Sequence, residues 1–143
     1  MNFVLDASVT MCWLLPGGKA AGRAYALKVL DAMKQARTGA LVPVTWGLEV
    51  ANVIAKAEAR GLVREAQSEA FLEMLEAVGI GADPATFSWA LSDTLQIARR
   101  YRLSAYDASY LELAMREGLA LATLDEALHK AAGKAGVKRF AAA

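Results

Sequence analysis

Four carboxylates in this sequence stand where apolar segments end or helices begin, and they are the groups that could do chemistry. Asp6 abruptly closes the apolar run Phe3-Val4-Leu5. Glu49 lies in the opening turns of a helical segment that starts near Thr45, Asp107 lies three residues beyond Ser104, and Asp125 follows the short apolar run Leu119-Ala120-Leu121-Ala122. Brought together, such groups raise one another's pKa and oppose ionisation, which a divalent cation reverses. Oxygen ligands without a nearby His or Cys suit a hard ion, Mg²⁺ or Mn²⁺, better than zinc. Mg²⁺ takes only one or two carboxylates directly and keeps several waters, so the remaining acids act through water or hold a second ion. A site of this kind activates water and neutralises charge on a phosphoryl group, which is metal-assisted phosphodiester hydrolysis. The sole histidine, His129, falls in a helical segment and is expected at the surface, so no Ser–His–Asp arrangement competes.

Three of the acids also have a plainer reading. Asp107 fits an S-x-x-D capping box behind Ser104. Asp125, at the second position of a helix capped by Thr123, is favoured there by the helix dipole. Glu49 alone reads as an exposed helix charge. Asp6 resists such a reading, because an acid ending a buried apolar strand seldom helps packing.

The elements that must position these acids follow from apolar spacing. The segment from Leu103 to Leu128 reads as a helix capped by Ser104 with Ala108, Leu111 and Met115 inward, a Gly118 stop, a short strand, and a helix opened by a Thr123–Glu126 capping box. A helix and the strand after it pack roughly antiparallel, so Asp107 and Asp125 reach one edge. Earlier, Asn2 to Leu5 is a strand and Ser8 caps a short helix through Leu15, broken by Pro16-Gly17-Gly18. Ala20 to Arg37 is a helix with Ala24, Leu27, Leu30 and Ala36 on its apolar face, and Ala40-Leu41-Val42 a second strand. Thr45 caps a helix to about Ala59, and another runs from about Arg64 to Val78 with Glu65, Glu69, Glu73 and Glu76 outward. Gly79-Ile80-Gly81 is a brief strand, Ala85 to Tyr101 a helix, and Val137 to Phe140 a last edge strand before a tail of alanines. Helices alternating with short apolar strands predict an α/β layered fold with a mainly parallel sheet. Ligands of such sheets bind beyond the carboxyl ends of the strands, where strand order reverses. Asp6, Glu49, Asp107 and Asp125 all start from that edge.

The bulk numbers set bounds. At 143 residues the chain reads as a single domain, residues 1–143, and its 56% hydrophobic content fits a buried parallel sheet or a sticky partner surface. The net charge of +1 does not announce a nucleic-acid binder, so any such site must be a local basic patch. One cysteine, Cys12, excludes an intramolecular disulfide and a thiolate metal site. The first apolar run is too short for a signal peptide and no stretch has the length of a membrane span, so a soluble, cytoplasmic protein is expected.

In FVLDASVTMCWLLP, VPVTWGLEVANVI, LSAYDASYLELA and LALATLDEAL, the chain resembles the PIN-domain ribonucleases, in particular the VapC-like toxins of bacterial toxin–antitoxin pairs. The matching pieces span most of the chain in the right order. The resemblance implies a three-layer α/β/α PIN-like domain with a short, mainly parallel central sheet. It also implies a metal-dependent endoribonuclease preferring single strands, with Mg²⁺ or Mn²⁺ as cofactor. It carries the catalytic and metal-binding roles onto Asp6, Glu49, Asp107 and Asp125, and places the hydroxyls of Ser8 and Thr123 beside the metal site. It further implies a homodimer and a cognate antitoxin lying across the acidic groove, with Val9, Cys12, Trp13 and Leu14 as candidate contacts. For these, and for Trp46 and Trp89, ordinary core packing is the competing reading.

An RNA backbone needs positive charge outside the acidic pocket. Arg99, Arg100 and Arg102 lie just before Asp107 and are the expected RNA-binding group; Lys56 and Arg60, and the set Lys130, Lys134, Lys138 and Arg139, are further basic residues. Two other function classes are weighed against the nuclease. Haloacid-dehalogenase-like phosphatases also begin with a strand ending in Asp, but need a second Asp two residues on, where this chain has Ser8. A catalytically inactive dimeric module could instead hold a basic partner peptide in the acidic groove.

Overall fold

The computed structural model describes residues 2–15, 17–35 and 38–140. Its described residues contain one sheet of four parallel strands: β1 (Phe3–Leu5), β2 (Gly39–Val42), β3 (Gly79–Ala82) and β4 (Ala120–Ala122). Their spatial order is β3-β2-β1-β4. Strands β1 to β3 build outward to one edge, and the chain then returns to lay β4 on the other side of β1. Strand order therefore reverses between β1 and β4.

The central strand β1 shows why the molecule has three layers. Phe3, Val4 and Leu5 are all fully buried, as a strand covered on both faces requires. Successive side chains alternate between faces. Phe3 and Leu5 pack with Ala26, Val29, Leu30 and Met33 of α2 (Ala20–Lys34). Val4 points the other way, into a cluster with Leu111 and Ala114 of α7 (Ala105–Glu117) and Leu128 and Ala131 of α8 (Glu126–Lys134). A third cluster joins Ala7 and Met11 of α1 (Ala7–Cys12) to Val50 and Ile54 of α3 (Trp46–Ala59) and to Phe71 and Leu75 of α4 (Glu65–Ala77). This is the layered α/β fold expected from the alternation of helices and short strands, in the three-layer α/β/α form that the family resemblance implies.

Several local expectations are corrected. The buried stripe of α2 is Ala26, Val29, Leu30 and Met33, while Ala24 is exposed and Leu27 is 57% exposed. Leu30 of the expected face is buried, and the rest of the stripe turns to Val29 and Met33, which pack with Phe3 and Leu5. Ala36 and Arg37, Pro16 and the final alanines lie outside the described residues. Met115 of α7 is also exposed. The expected helix from Ala85 to Tyr101 is α5 (Thr86–Trp89), a π-helical turn (Ala90–Thr94) and α6 (Leu95–Tyr101). The last edge strand shrinks to one parallel bridge between Leu121 and Arg139, since β4 is only three residues long. Phe140 still stacks on Phe3, ring centroids 3.9 Å apart.

Helix ends follow local chemistry in some places and tertiary demand in others. Ser104 accepts from the Asp107 amide at 3.1 Å, and Gly118 takes the left-handed conformation that ends α7. Ser8 and Thr123 are not caps, and Thr45 stands at the N-cap of α3 as expected but makes no capping bond through its side chain. The α1 helix begins after Asp6, the Thr45 hydroxyl is buried with no partner among the described residues, and Asp125 caps α8 through a 2.8 Å bond from the Leu128 amide. Ser8 and Thr123 are diverted because their hydroxyls serve Asp6.

Candidate active site

At the reversal point β1 and β4 deliver their ends side by side. The Asp6 amide donates to the Ala122 carbonyl at 2.9 Å, extending the ladder by one rung, and its side chain emerges just beyond. Asp6 is only 4% exposed, and its Oδ2 accepts hydrogen bonds from the Ser8 hydroxyl and, at 2.7 Å, from the Thr123 hydroxyl. Ser8 Oγ also ties down the opposite loop, accepting from the Leu124 amide at 2.9 Å, while Thr123 Oγ1 accepts from the Asp125 amide of its own loop at 3.0 Å. The β1–α1 and β4–α8 turns are thus stitched around one carboxylate.

The other acids arrive from three helices. Glu49 lies in the first turn of α3, Asp107 in the first turn of α7, and Asp125 at the start of α8. All three are half-buried. Burial pushes the Asp6 carboxyl up, and the charge of Asp125 adds to this, against the hydrogen bonds from Ser8 and Thr123. Glu49 is raised by burial and then by the charges of Asp6 and Asp107, and Asp107 by burial and then by Asp125 and Asp6. Four carboxylates from four segments therefore act on one another, and among the described residues none of them is in a salt bridge.

Tyr110 is a site residue that spacing and polarity did not single out. It is fully buried, and its hydroxyl donates to Glu49 Oε1 at 2.9 Å. Burial, and then the charges of Asp6 and Glu49, push its pKa well above the ordinary tyrosine value, so it stays a donor. The available signal was its place three residues after Asp107 in a helix, which puts both on one face.

The donor set fits a hard cation. It is all oxygen; His129 is exposed on α8 and Cys12 packs against the core. Among the described residues no three acidic, His or Cys side chains are drawn into a ready-made cage. Mg²⁺ does not need one, since it is usually held by one or two carboxylates, with water and substrate phosphate completing its shell.

Arg99, Arg100 and Arg102 are exposed at the end of α6. Val9 is fully buried in the core and is not available to a partner, while Cys12, Trp13 and Leu14 are half-buried against core clusters. Trp13 Nε1 donates to the Ala26 carbonyl at 2.7 Å and Trp46 Nε1 to the Thr10 hydroxyl at 3.2 Å. Trp89 lies under the Arg116 guanidinium, 5.7 Å from its ring centre.

A parallel sheet reversing beside Asp6, with carboxylates gathered from three helices, is the architecture of a nuclease domain. The PIN domain model matches residues 3–134, and the chain belongs to that family. It is VapC-like in sequence: it is 29% identical to ribonuclease VapC3 of Pyrobaculum aerophilum over 134 residues, covering 90% of this chain and 92% of that protein. The crystal structure of PAE2754 from Pyrobaculum aerophilum superposes with a TM-score of 0.65 at 23% identity, over 92% of this chain and 79% of that one, which supports the fold. No described helix is long and apolar enough to cross a membrane.

Proposed function

We propose that this chain is a Mg²⁺- or Mn²⁺-dependent endoribonuclease that hydrolyses RNA phosphodiester bonds, and the toxin of a toxin–antitoxin pair. The observation that carries the reading is the set Asp6, Glu49, Asp107 and Asp125 around the reversal point, mutually repelling and without a described salt bridge. Such an ion, when bound, would supply Lewis-acid polarisation of a phosphoryl oxygen and a more acidic water. The four carboxylates would hold it directly or through water. Ser8 and Thr123 orient Asp6, and Tyr110 orients Glu49.

The family name of the relative, a VapC, supports an antitoxin partner and an RNA substrate for this chain. A homodimer belongs to the same proposal. Leu48, Phe87 and Leu91 are 74%, 87% and 86% exposed, and the Val44 amide bonded to the Thr86 hydroxyl at 3.1 Å holds the start of α3 beside α5. Such an apolar surface suits a second copy of the chain.

The test is incubation of purified, partner-free protein with RNA and Mg²⁺ or Mn²⁺, against the same mixture with EDTA. Cleavage only with metal is expected. Absence of cleavage together with absence of Mn²⁺ binding by calorimetry overturns the reading in favour of a non-catalytic module.

A further inference from the structure

We infer that the basic concavity between the end of α6 and the outer face of α8 is a docking groove for the RNA backbone, feeding a single strand to the acid cluster. The inference rests on the nuclease reading above and adds where the substrate lies. The concavity has a volume of about 570 Å³, and its charged lining is Arg100, Arg102, Lys130 and Lys134, with no acidic residue. Among the described residues none of these four is in a salt bridge, so their charge is free to meet phosphate. Two groups of basic residues, separate in sequence, thus become one surface, from which Arg99 is absent.

Position links this surface to the acids. Arg102 lies two residues before Ser104, the cap of the helix that carries Asp107. Asp125 caps α8, and at about 1.5 Å of rise per residue Lys130 and Lys134 stand about 7.5 and 13.5 Å further along its axis. A strand held by the lysines is therefore led along α8 toward two of the four carboxylates. Tyr101 lines the same groove with the Arg100 guanidinium 5.6 Å from its ring centre, planar groups of the kind on which unpaired bases stack.

The backbone at Arg102 adds an independent sign. Among the described residues it is the one non-glycine with positive φ, at 54°, whereas Gly61, Gly118 and Gly136 occupy the comparable left-handed positions. Glycine would fit there without steric cost, so the arginine side chain is present despite the backbone rather than because of it.

The experiment is fluorescence anisotropy of a labelled single-stranded oligoribonucleotide in EDTA, at several salt concentrations. The proteins compared are the unmodified chain, Lys130→Ala/Lys134→Ala, Arg102→Gly, and Lys28→Ala on α2 across the sheet as control. The double variant is expected to bind about tenfold more weakly, with a log–log salt slope shallower by about 1.4, or 0.7 per lost phosphate contact. Arg102→Gly is expected to bind several-fold more weakly while melting no lower than the unmodified protein, which separates lost contact from lost fold. Lys28→Ala should match the unmodified chain. Unchanged affinity and slope in both groove variants, or no RNA binding by the unmodified protein, overturns the groove. Metal-dependent cleavage by the unmodified chain is scored separately: cleavage with normal binding by the variants removes the groove and leaves the nuclease standing. Weakened variant binding without any cleavage does the reverse.

Discussion

Tyr110 and Glu49, 61 residues apart, are joined by a 2.9 Å hydrogen bond from a fully buried phenol to a half-buried carboxylate. The bond couples α7 to α3 and holds the Glu49 carboxylate in place. Tyr110→Phe removes the donor and keeps the ring, so the hydrogen bond that holds the Glu49 pKa down is lost while burial and the neighbouring charges remain. A stability loss of about 1–2 kcal/mol is expected. The acidic limb of the pH–rate profile for cleavage should move to higher pH. An unmoved limb, measured with the same RNA, removes Tyr110 from the site.

Asp6→Asn and Asp107→Asn each delete one charge from the crowded set. Metal-dependent cleavage should fall by at least about 100-fold in either variant. Thermal melting near pH 7 without metal should stay at or above that of the unmodified chain, because the repulsion acting on both carboxylates is relieved. Full activity in either variant contradicts the assigned roles.

The same crowding makes stability depend on pH and metal. Asp6, Glu49 and Asp107 all have pKa values above those of an unfolded chain, so in the window between the two the folded state binds more protons. Their contribution is fully present below the ordinary carboxylate range and is lost as pH rises through the raised values. The metal-free protein should therefore lose melting temperature through this window more steeply than Asp6→Asn does. Mn²⁺ should restore more at pH 7 than at pH 5, since only the ionised acids hold it. Equal stabilisation at both pH values counts against a carboxylate site.

Arg116 organises a second charged group away from the site. It binds Asp83 at 2.6 Å and Glu112 at 2.8 Å, and both acids are buried. Burial pushes Asp83 up, but the Arg116 guanidinium, the Ala85 amide and the Thr86 hydroxyl together pull it below the ordinary carboxylate range. Arg116→Met should cost about 3–5 kcal/mol at neutral pH by stranding two buried carboxylates. Asp83 contributes stability above the unfolded carboxylate range and loses it as pH falls through its lowered value. The deficit of the variant should accordingly shrink in acid, as urea unfolding at pH 7 and pH 4 would show.

Local pattern alone determined much of this protein. Apolar runs three or four residues long, bounded by Gly, Pro or Asp, marked the strands; Ser104 and Gly118 marked the ends of α7; and the places of Asp6, Glu49, Asp107 and Asp125 at strand ends and first turns announced an acidic edge. These features depend on chain stiffness, hydrogen-bond caps and the alternation of side chains, all of which act over a few residues. Only the tertiary structure decided which way α2 faces, that Ser8 and Thr123 spend their hydroxyls on Asp6 rather than on helix ends, that Tyr110 reaches Glu49, and that Lys130 and Lys134 share a groove with Arg100 and Arg102. A hydroxyl or a cation has several partners of similar energy within its own segment. The choice among them is made by groups more than a hundred residues away in the case of Asp6 and Thr123, 117 positions apart, where burying a carboxylate demands every donor in reach.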